Sequence, residues 1–290
     1  METLHASQLE HTSPQSLMTH FTSDTDQLQV SLNERVATIT MNRPEARNAL
    51  SPELTQAFQA ALQWAQADDE VGAILLTGAG RAFCAGGDVK AMGAAPAPDQ
   101  PRPTTEQQFQ DLRQRHHGIA GVLRALRKPS IAALPGAAAG AGMAIALCCD
   151  LRIAAENAFL STGYARIGLS GDYGIAWLLS RIVTPAHARQ LMLTSERVSA
   201  QRAFDIGLVN QVVPADDLLR TAHLQAQALA RGPQIAYRYI KDNLDEALDI
   251  SHANAIDREA DRLLKGRSTA DHKEAVRAFA EKREPNFQSR

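Results

Sequence analysis

The sequence is short of the features that mark several large classes of protein. It holds three cysteines in 290 residues, Cys84, Cys148 and Cys149, too few for a disulfide framework. Two of them are adjacent in an apolar run and read as small buried hydrophobes, which predicts a reducing, cytoplasmic setting. No CxxC pair and no Cys/His or His/His spacing suggests a metal site. No apolar run approaches the length of a membrane span. The formal net charge of −2 gives no general pull toward nucleic acid or an anionic membrane surface. The glycine-rich stretch at 134–150 lacks the third glycine and the acidic partner of a dinucleotide fingerprint. Residues 1–25 have no apolar h-region, little arginine and several acids, so they read as a flexible tail rather than a targeting segment.

What remains is an ordinary globular composition, 44% hydrophobic and 21% charged, with length enough for a large core and no evident internal repeat. Residues 28–32 and 36–41 form apolar or alternating runs around Asn33 and Glu34, the pattern of a hairpin. A helix follows, with Ser51 as N-cap and Pro52 at its first position, and it buries Leu54, Phe58 and Leu62. The run VGAILL at 71–76 reads as a buried strand that opens into a small-residue loop, TGAGRAFCAGGDV, at 77–89. Strand and helix alternate, which argues for a parallel α/β architecture. Residues 93–103 read as a mobile Pro/Ala loop, and 105–126 as one polar helix. Short strands are expected at 130–133, 150–155 and 208–213. From about residue 185 the chain reads as nearly all helical.

The stretch LPGAAAGAGMAIALCCD at 134–150 organises the chain. A strand leads into it, small residues turn it, and an apolar, buried helix leaves it. At such a helix start the first backbone N–H groups lack intrahelical partners and the dipole is positive, so they can hold an oxygen that becomes anionic in a transition state. The other reading is a close-packed glycine–alanine helix with no chemical role. The second small-residue loop, at 77–89, favours the chemical reading.

The motifs MNRPEARNALS (41–51), TGAGRAFCAGGDVKAM (77–92), PGAAAGAGMAIALCCDLRIA (135–154), GLVNQVV (207–213) and HKEAVRAFAEKREPNF (272–287) together resemble the crotonase, or enoyl-CoA hydratase/isomerase, superfamily. The resemblance spans about residues 27–284. It implies an α/β fold, a crotonase-like spiral of β-β-α turns over residues 26–216, and a C-terminal helical oligomerisation region over 217–290. It also implies a homotrimer or dimer of trimers, an acyl-CoA thioester substrate, and no metal or organic cofactor, CoA being part of the substrate. The family's two oxyanion amides fall on Gly87 and Ala141. Its CoA-binding positions fall on Ala46, Arg47, Ala49, Ala85, Gly86 and Asp88, and on Lys282, which is implied to reach a phosphate across a subunit boundary; the alternative for Lys282 is a solvated helix face.

The sequence departs from the family where hydratases carry two glutamates. The first position is Ala144, and the second falls near Gly163 and Tyr164. One carboxylate remains nearby, Asp172 in IGLSGDYG. This loop resembles that of the delta-3,delta-2-enoyl-CoA isomerases and the ring-opening epoxyphenylacetyl-CoA isomerases, in which the loop acid is the base. The local alternative for Asp172 is an N-cap on a helix starting near Tyr173. Tyr164 is expected to wall the acyl pocket, and Asp88 and Asp150 to be structural. The histidines, His116 and His117 among them, are expected to face solvent. Three functions follow: an isomerase with Asp172 as base, a hydratase or other lyase with an altered acid/base set, or a catalytically idle acyl-CoA-binding subunit.

Overall fold

The computed structural model describes residues 21–87 and 103–288. The Pro/Ala loop apart from Pro103, Asp88, and all but the last five residues read as the tail lie outside them. Residue 21 already belongs to the folded body: the Phe21 ring packs on Trp64 with centroids 5.5 Å apart.

Strands β1 (Leu28–Asn33) and β2 (Val36–Met41) form the expected antiparallel hairpin. Its tight turn is one residue later than the sequence suggested, at Glu34 and Arg35, whose φ angles are +47° and +66°. Two consecutive left-handed residues match the right-handed twist of the flanking strands. Helix α1 (Pro52–Ala67) starts as expected, with the Ser51 hydroxyl accepting the Leu54 N–H at 3.0 Å.

The rest of the core is wound as a spiral. Successive strands alternate between two sheets: β3 (Ala73–Gly78) and β4 (Ala82–Cys84), β5 (Ser130–Leu134) and β6 (Ala137–Ala139), β7 (Leu151–Ala155) and β8 (Phe159–Ser161). Odd strands join the large sheet, ordered β1-β2-β3-β5-β7-β10 and parallel from β2 onward. Even strands form a second sheet with β9 (Val198–Ser199), ordered β4-β6-β8-β9. Strand β10 (Gln211–Val213) is the C-terminal half of the run expected at 208–213. Every residue of β3 and β5 is buried, as a parallel sheet covered on both faces requires. In the second sheet, β4 falls in the stretch read as a small-residue loop and β6 in the turn before α4; strands of three residues are too short to show a period.

Between the β-β units lie α2 (Thr105–His116), α3 (Val122–Ala125), α4 (Ala141–Cys148) and α5 (Ile175–Ile182). The single helix expected at 105–126 is instead α2 and α3 joined by a π-turn over His117–Gly121. Helices α6 (Pro185–Thr194), α7 (Ala200–Asp205) and α8 (Leu218–Ala230) follow, and α8 packs across β2, β3, β5 and β7. Helices α9 (Gln234–Glu246), α10 (His252–Arg267) and α11 (Ala270–Glu281) complete the chain and bury few of their own side chains. Among the described residues no helix is long and apolar enough to cross a membrane, and no group of three His, Cys, Asp or Glu side chains is arranged to hold a metal ion.

Candidate active site

Two loops at the ends of β4 and β6 meet around glycine backbone. Gly86 has φ +96°, and a Cβ placed on it would lie 2.8 Å from the Ala139 carbonyl oxygen and 3.4 Å from the Ala141 nitrogen. Gly142 lies closer still to β4: a Cβ there would stand 2.2 Å from the Cys84 carbonyl oxygen. Glycine at both positions lets the first turn of α4 press against the loop that carries Gly87. Gly140, with φ +53°, turns the chain from β6 into α4. Ala141 is therefore the first residue of a buried helix, with its N–H ahead of the intrahelical ladder.

The loop after β2 joins this pair. The Ala85 N–H donates to the Arg47 carbonyl at 2.9 Å, and the Leu50 N–H donates to the Gly86 carbonyl at 2.9 Å. Arg47 and Asn48 are both left-handed, at φ +52° and +57°. The fully buried Asn48 amide holds the two loops together, donating to the carbonyls of Ala79 and Ala82, while its oxygen accepts the Arg43 N–H. The loops that carry Ala46, Arg47 and Ala49, Ala85–Gly87, and Ala141 thus lie together. Asn48 was missed, although an asparagine between two elements signals a tight, side-chain-bonded turn.

The acid stands on the loop between β8 and α5. Asp172 does not cap that helix; the N-cap position is Gly174, with no side-chain cap, and Asp172 contributes only its backbone carbonyl, to the Ile175 N–H. The Asp172 Oδ1 instead accepts a short hydrogen bond from the Tyr164 hydroxyl. Tyr164 is 5% exposed, and its ring carbon Cζ lies 3.9 Å from where a Cβ on Gly140 would be. The phenol therefore bridges the carboxyl group and the glycine turn that presents Ala141. It is more than the pocket wall the sequence suggested. Tyr173 is left-handed at φ +48° between Gly171 (φ +131°) and Gly174 (φ +75°), a run of unusual backbone that fixes Asp172 in place.

Burial raises the Asp172 pKa above the ordinary carboxylate range, with the Tyr164 hydrogen bond and the nearby His116 pulling the other way. Burial and the Asp172 charge push the Tyr164 phenol well up, so it stays protonated and donates. Burial also pushes the Cys84 thiol up to about 12, leaving it neutral and fully enclosed beneath the loop. His116 is half-buried rather than solvent-facing: its ring packs on Tyr173 with centroids 4.2 Å apart, and burial lowers its pKa. The π-turn that follows His116 is the local irregularity hidden from a helical-period reading.

A cavity of about 610 Å³ opens beside this cluster, with Tyr173, His116, Phe109, Trp177, Leu178 and Cys148 among its walls. Ala144, at the position of the first hydratase glutamate, is completely buried in α4. Lys282 ends α11 as an exposed, left-handed C-cap and is not part of the cluster within one chain. Asp150 is structural, as expected: its Oδ2 accepts from the Ser130 N–H and hydroxyl and from Lys241 Nζ.

The spiral of β-β units turned on small residues defines a class, the crotonase-fold enzymes that act on acyl-CoA thioesters. The family profile described as enoyl-CoA hydratase/isomerase matches residues 31–290, and the chain belongs to that family. It is 38% identical over 256 residues to a 1,2-epoxyphenylacetyl-CoA isomerase of Escherichia coli, covering 87% of this chain and 94% of that protein. It is 34% identical over 264 residues to a crotonyl-CoA hydratase of Syntrophomonas wolfei, covering 89% and 96%. Among solved structures, an enoyl-CoA hydratase from Polaromonas superposes with a TM-score of 0.83 at 35% identity, covering 90% of this chain and 99% of that one.

Proposed function

We propose that the protein is an enoyl-CoA isomerase that moves a double bond of an acyl-CoA thioester, with Asp172 as the base. The observation that carries this reading is the half-buried Asp172 carboxyl, bonded to a Tyr164 ring that packs on the Gly140 turn into Ala141, while the hydratase position on α4 is the buried methyl of Ala144. A methyl group cannot position water, and hydration needs a positioned water. A double-bond shift needs one base and an oxyanion site.

The Asp172 carboxylate takes a proton from C2 of a 3-enoyl thioester. The C–H electron pair moves toward the carbonyl, forming a dienolate whose oxygen accepts from the Gly87 and Ala141 N–H groups. The protonated carboxyl then returns the proton at C4, and the electrons settle as a C2–C3 double bond conjugated to the thioester. No proton, electron or co-reactant is gained or lost. A raised Asp172 pKa suits a base that must both take and return the proton. Tyr164 stays protonated and holds one carboxyl oxygen. Ala46, Arg47, Ala49, Ala85, Gly86 and Asp88 are read as the CoA-binding positions.

The test is turnover of a 3-enoyl-CoA, followed by the appearance of conjugated enoyl thioester, for wild type and Asp172→Asn. Wild-type activity that falls by about two to four orders of magnitude in the variant supports the reading. Equal activity in both removes Asp172. Hydration of a 2-enoyl-CoA without isomerisation favours a lyase, and acyl-CoA binding without any turnover favours a binding subunit.

The C-terminal helices are read as packing on neighbouring copies, in a homotrimer or a dimer of trimers that brings Lys282 to a neighbour's CoA phosphate. They expose Leu263 and Leu264 at 64% each and Phe279 at 87%, more apolar surface than an isolated chain usually leaves bare. Native mass spectrometry at micromolar concentration should give three or six copies; a monomer overturns the assembly.

A further inference from the structure

The walls of the 610 Å³ cavity include Tyr173, the chain neighbour of the proposed base, and Cys148, the last residue of α4. Ala141, the first residue of that helix, carries one of the two amides read as the oxyanion site, so the helix sets how far that amide lies from the Cys148 wall. Its seven steps from Ala141 to Cys148 span about 10 Å at a rise of about 1.5 Å per residue. With carbon–carbon bonds of about 1.5 Å, a zigzag chain of about eight carbons covers that distance.

At the far end the character of the surface changes. A second cavity of about 240 Å³ shares Arg124, Cys148, Trp177 and Leu178 with the first, and its other walls include Asp150 and Arg152. The Trp177 ring lines both cavities and is contacted by two guanidinium groups: Arg181 lies 3.7 Å from the ring centroid and Arg124 lies 5.5 Å away. Each arginine is tethered to the C-terminal part of the chain, Arg124 by an ion pair to Asp245 and Arg181 by one to Asp249 at 3.2 Å. Two cation–π contacts and the two ion pairs behind them hold the indole in one orientation.

We propose that Trp177, clamped by Arg124 and Arg181, is the end stop of the acyl cavity and the residue that limits the acyl group to medium length. This deepens the proposed function, since it rests on reading Asp172 as the reacting end of the cavity. An acyl chain filling the first cavity gains apolar burial with each carbon. A longer chain meets the clamped indole and, behind it, the charged groups of the second cavity.

The test uses the full-length protein and saturated acyl-CoAs of four to sixteen carbons, which bind but cannot isomerise. Wild-type affinity should rise by about fourfold per methylene up to about eight to ten carbons and then level or fall. In Trp177→Ala the ratio of twelve-carbon to eight-carbon affinity should rise at least tenfold, as the second cavity becomes an extension of the first. Should that variant fail to fold, Arg181→Met, which releases the ring on one side, should move the ratio the same way by a smaller factor. An unchanged ratio, or wild-type affinity rising without a break to sixteen carbons, overturns the end stop. A length ceiling in a protein that turns over no 3-enoyl-CoA leaves the end stop standing and removes the isomerase. No binding at any length removes both.

Discussion

Asp150 and Asp172 sit in two regions that treat a carboxyl group in opposite ways. At the foot of the large sheet, one oxygen of Asp150 takes three hydrogen bonds, from the Ser130 N–H at 2.8 Å, the Ser130 hydroxyl at 2.9 Å and Lys241 Nζ at 2.7 Å. They tie the start of β5, the entry to β7 and helix α9 into one joint. On the loop before α5, Asp172 has the Tyr164 hydroxyl as its side-chain donor, and burial makes the group reluctant to ionise. The first carboxyl is consumed by the fold. The second keeps one side-chain donor, which suits the proposed role as base. Partners, more than burial, separate a carboxyl that braces a protein from one that can move protons.

The largest effect expected from this contrast is a crossed pair of losses. Asp172→Asn should cut 3-enoyl-CoA turnover by the two to four orders given above while the protein still unfolds cooperatively. Asp150→Asn, which weakens the charged bond to Lys241, should cost about 1–3 kcal/mol in urea denaturation and keep most of its turnover. An Asp150 variant that loses turnover at unchanged stability breaks the comparison.

A variant that touches neither carboxyl comes next. Gly142→Ala forces a methyl group against the Cys84 carbonyl. The first turn of α4 must then move, and displacing one oxyanion donor should cost about 10²–10³ in kcat. Wild-type turnover in this variant would show that the Ala141 amide is not an oxyanion donor.

Smaller and more diagnostic is Tyr164→Phe. Its hydrogen bond lowers the Asp172 pKa against the larger effect of burial, so removing it should move the acid limb of kcat/KM to higher pH. The loss in kcat/KM near neutral pH should be about tenfold and should shrink as pH rises. A pH-independent loss would make Tyr164 a wall after all.

The smallest effect is on stability. Because the folded-state pKa of Asp172 is raised, the folded protein keeps this proton to higher pH than the unfolded chain does. Folding therefore takes up a proton in the window between the ordinary and the raised pKa, and wild-type stability falls as pH climbs through it. Asp172→Asn should be free of that loss and melt higher than wild type above the window, with the gap closing below it. A variant that melts lower at every pH would mean the carboxylate is stabilising.

The sequence made the apolar strands legible, because parallel strands buried on both faces read as unbroken hydrophobic runs. It also made the two small-residue loops, the Ser51–Pro52 helix start and the Asp172 loop legible, because caps, glycine runs and ordered motifs are local signals. The second sheet was not legible: Ala82–Cys84, Ala137–Ala139 and Phe159–Ser161 become strands only by pairing with each other across long stretches of chain. His116 was misjudged for a similar reason. A histidine on a polar helix looks solvated until the π-turn and Tyr173 are brought against it. The Tyr164 hydroxyl could not be paired with Asp172 from spacing, since the loop between them turns on left-handed residues.

The winding of the spiral also bears on how the chain is made. Each β-β unit joins the strands before it, so the large sheet grows from its N-terminal edge as the polypeptide leaves the ribosome. Helix α8, which packs across four of its strands, is among the later elements to be synthesised. Until residue 230 has emerged, the face that α8 will cover stays bare on the nascent chain. A ribosome stall before that point would leave an apolar sheet surface for a holdase chaperone to shield.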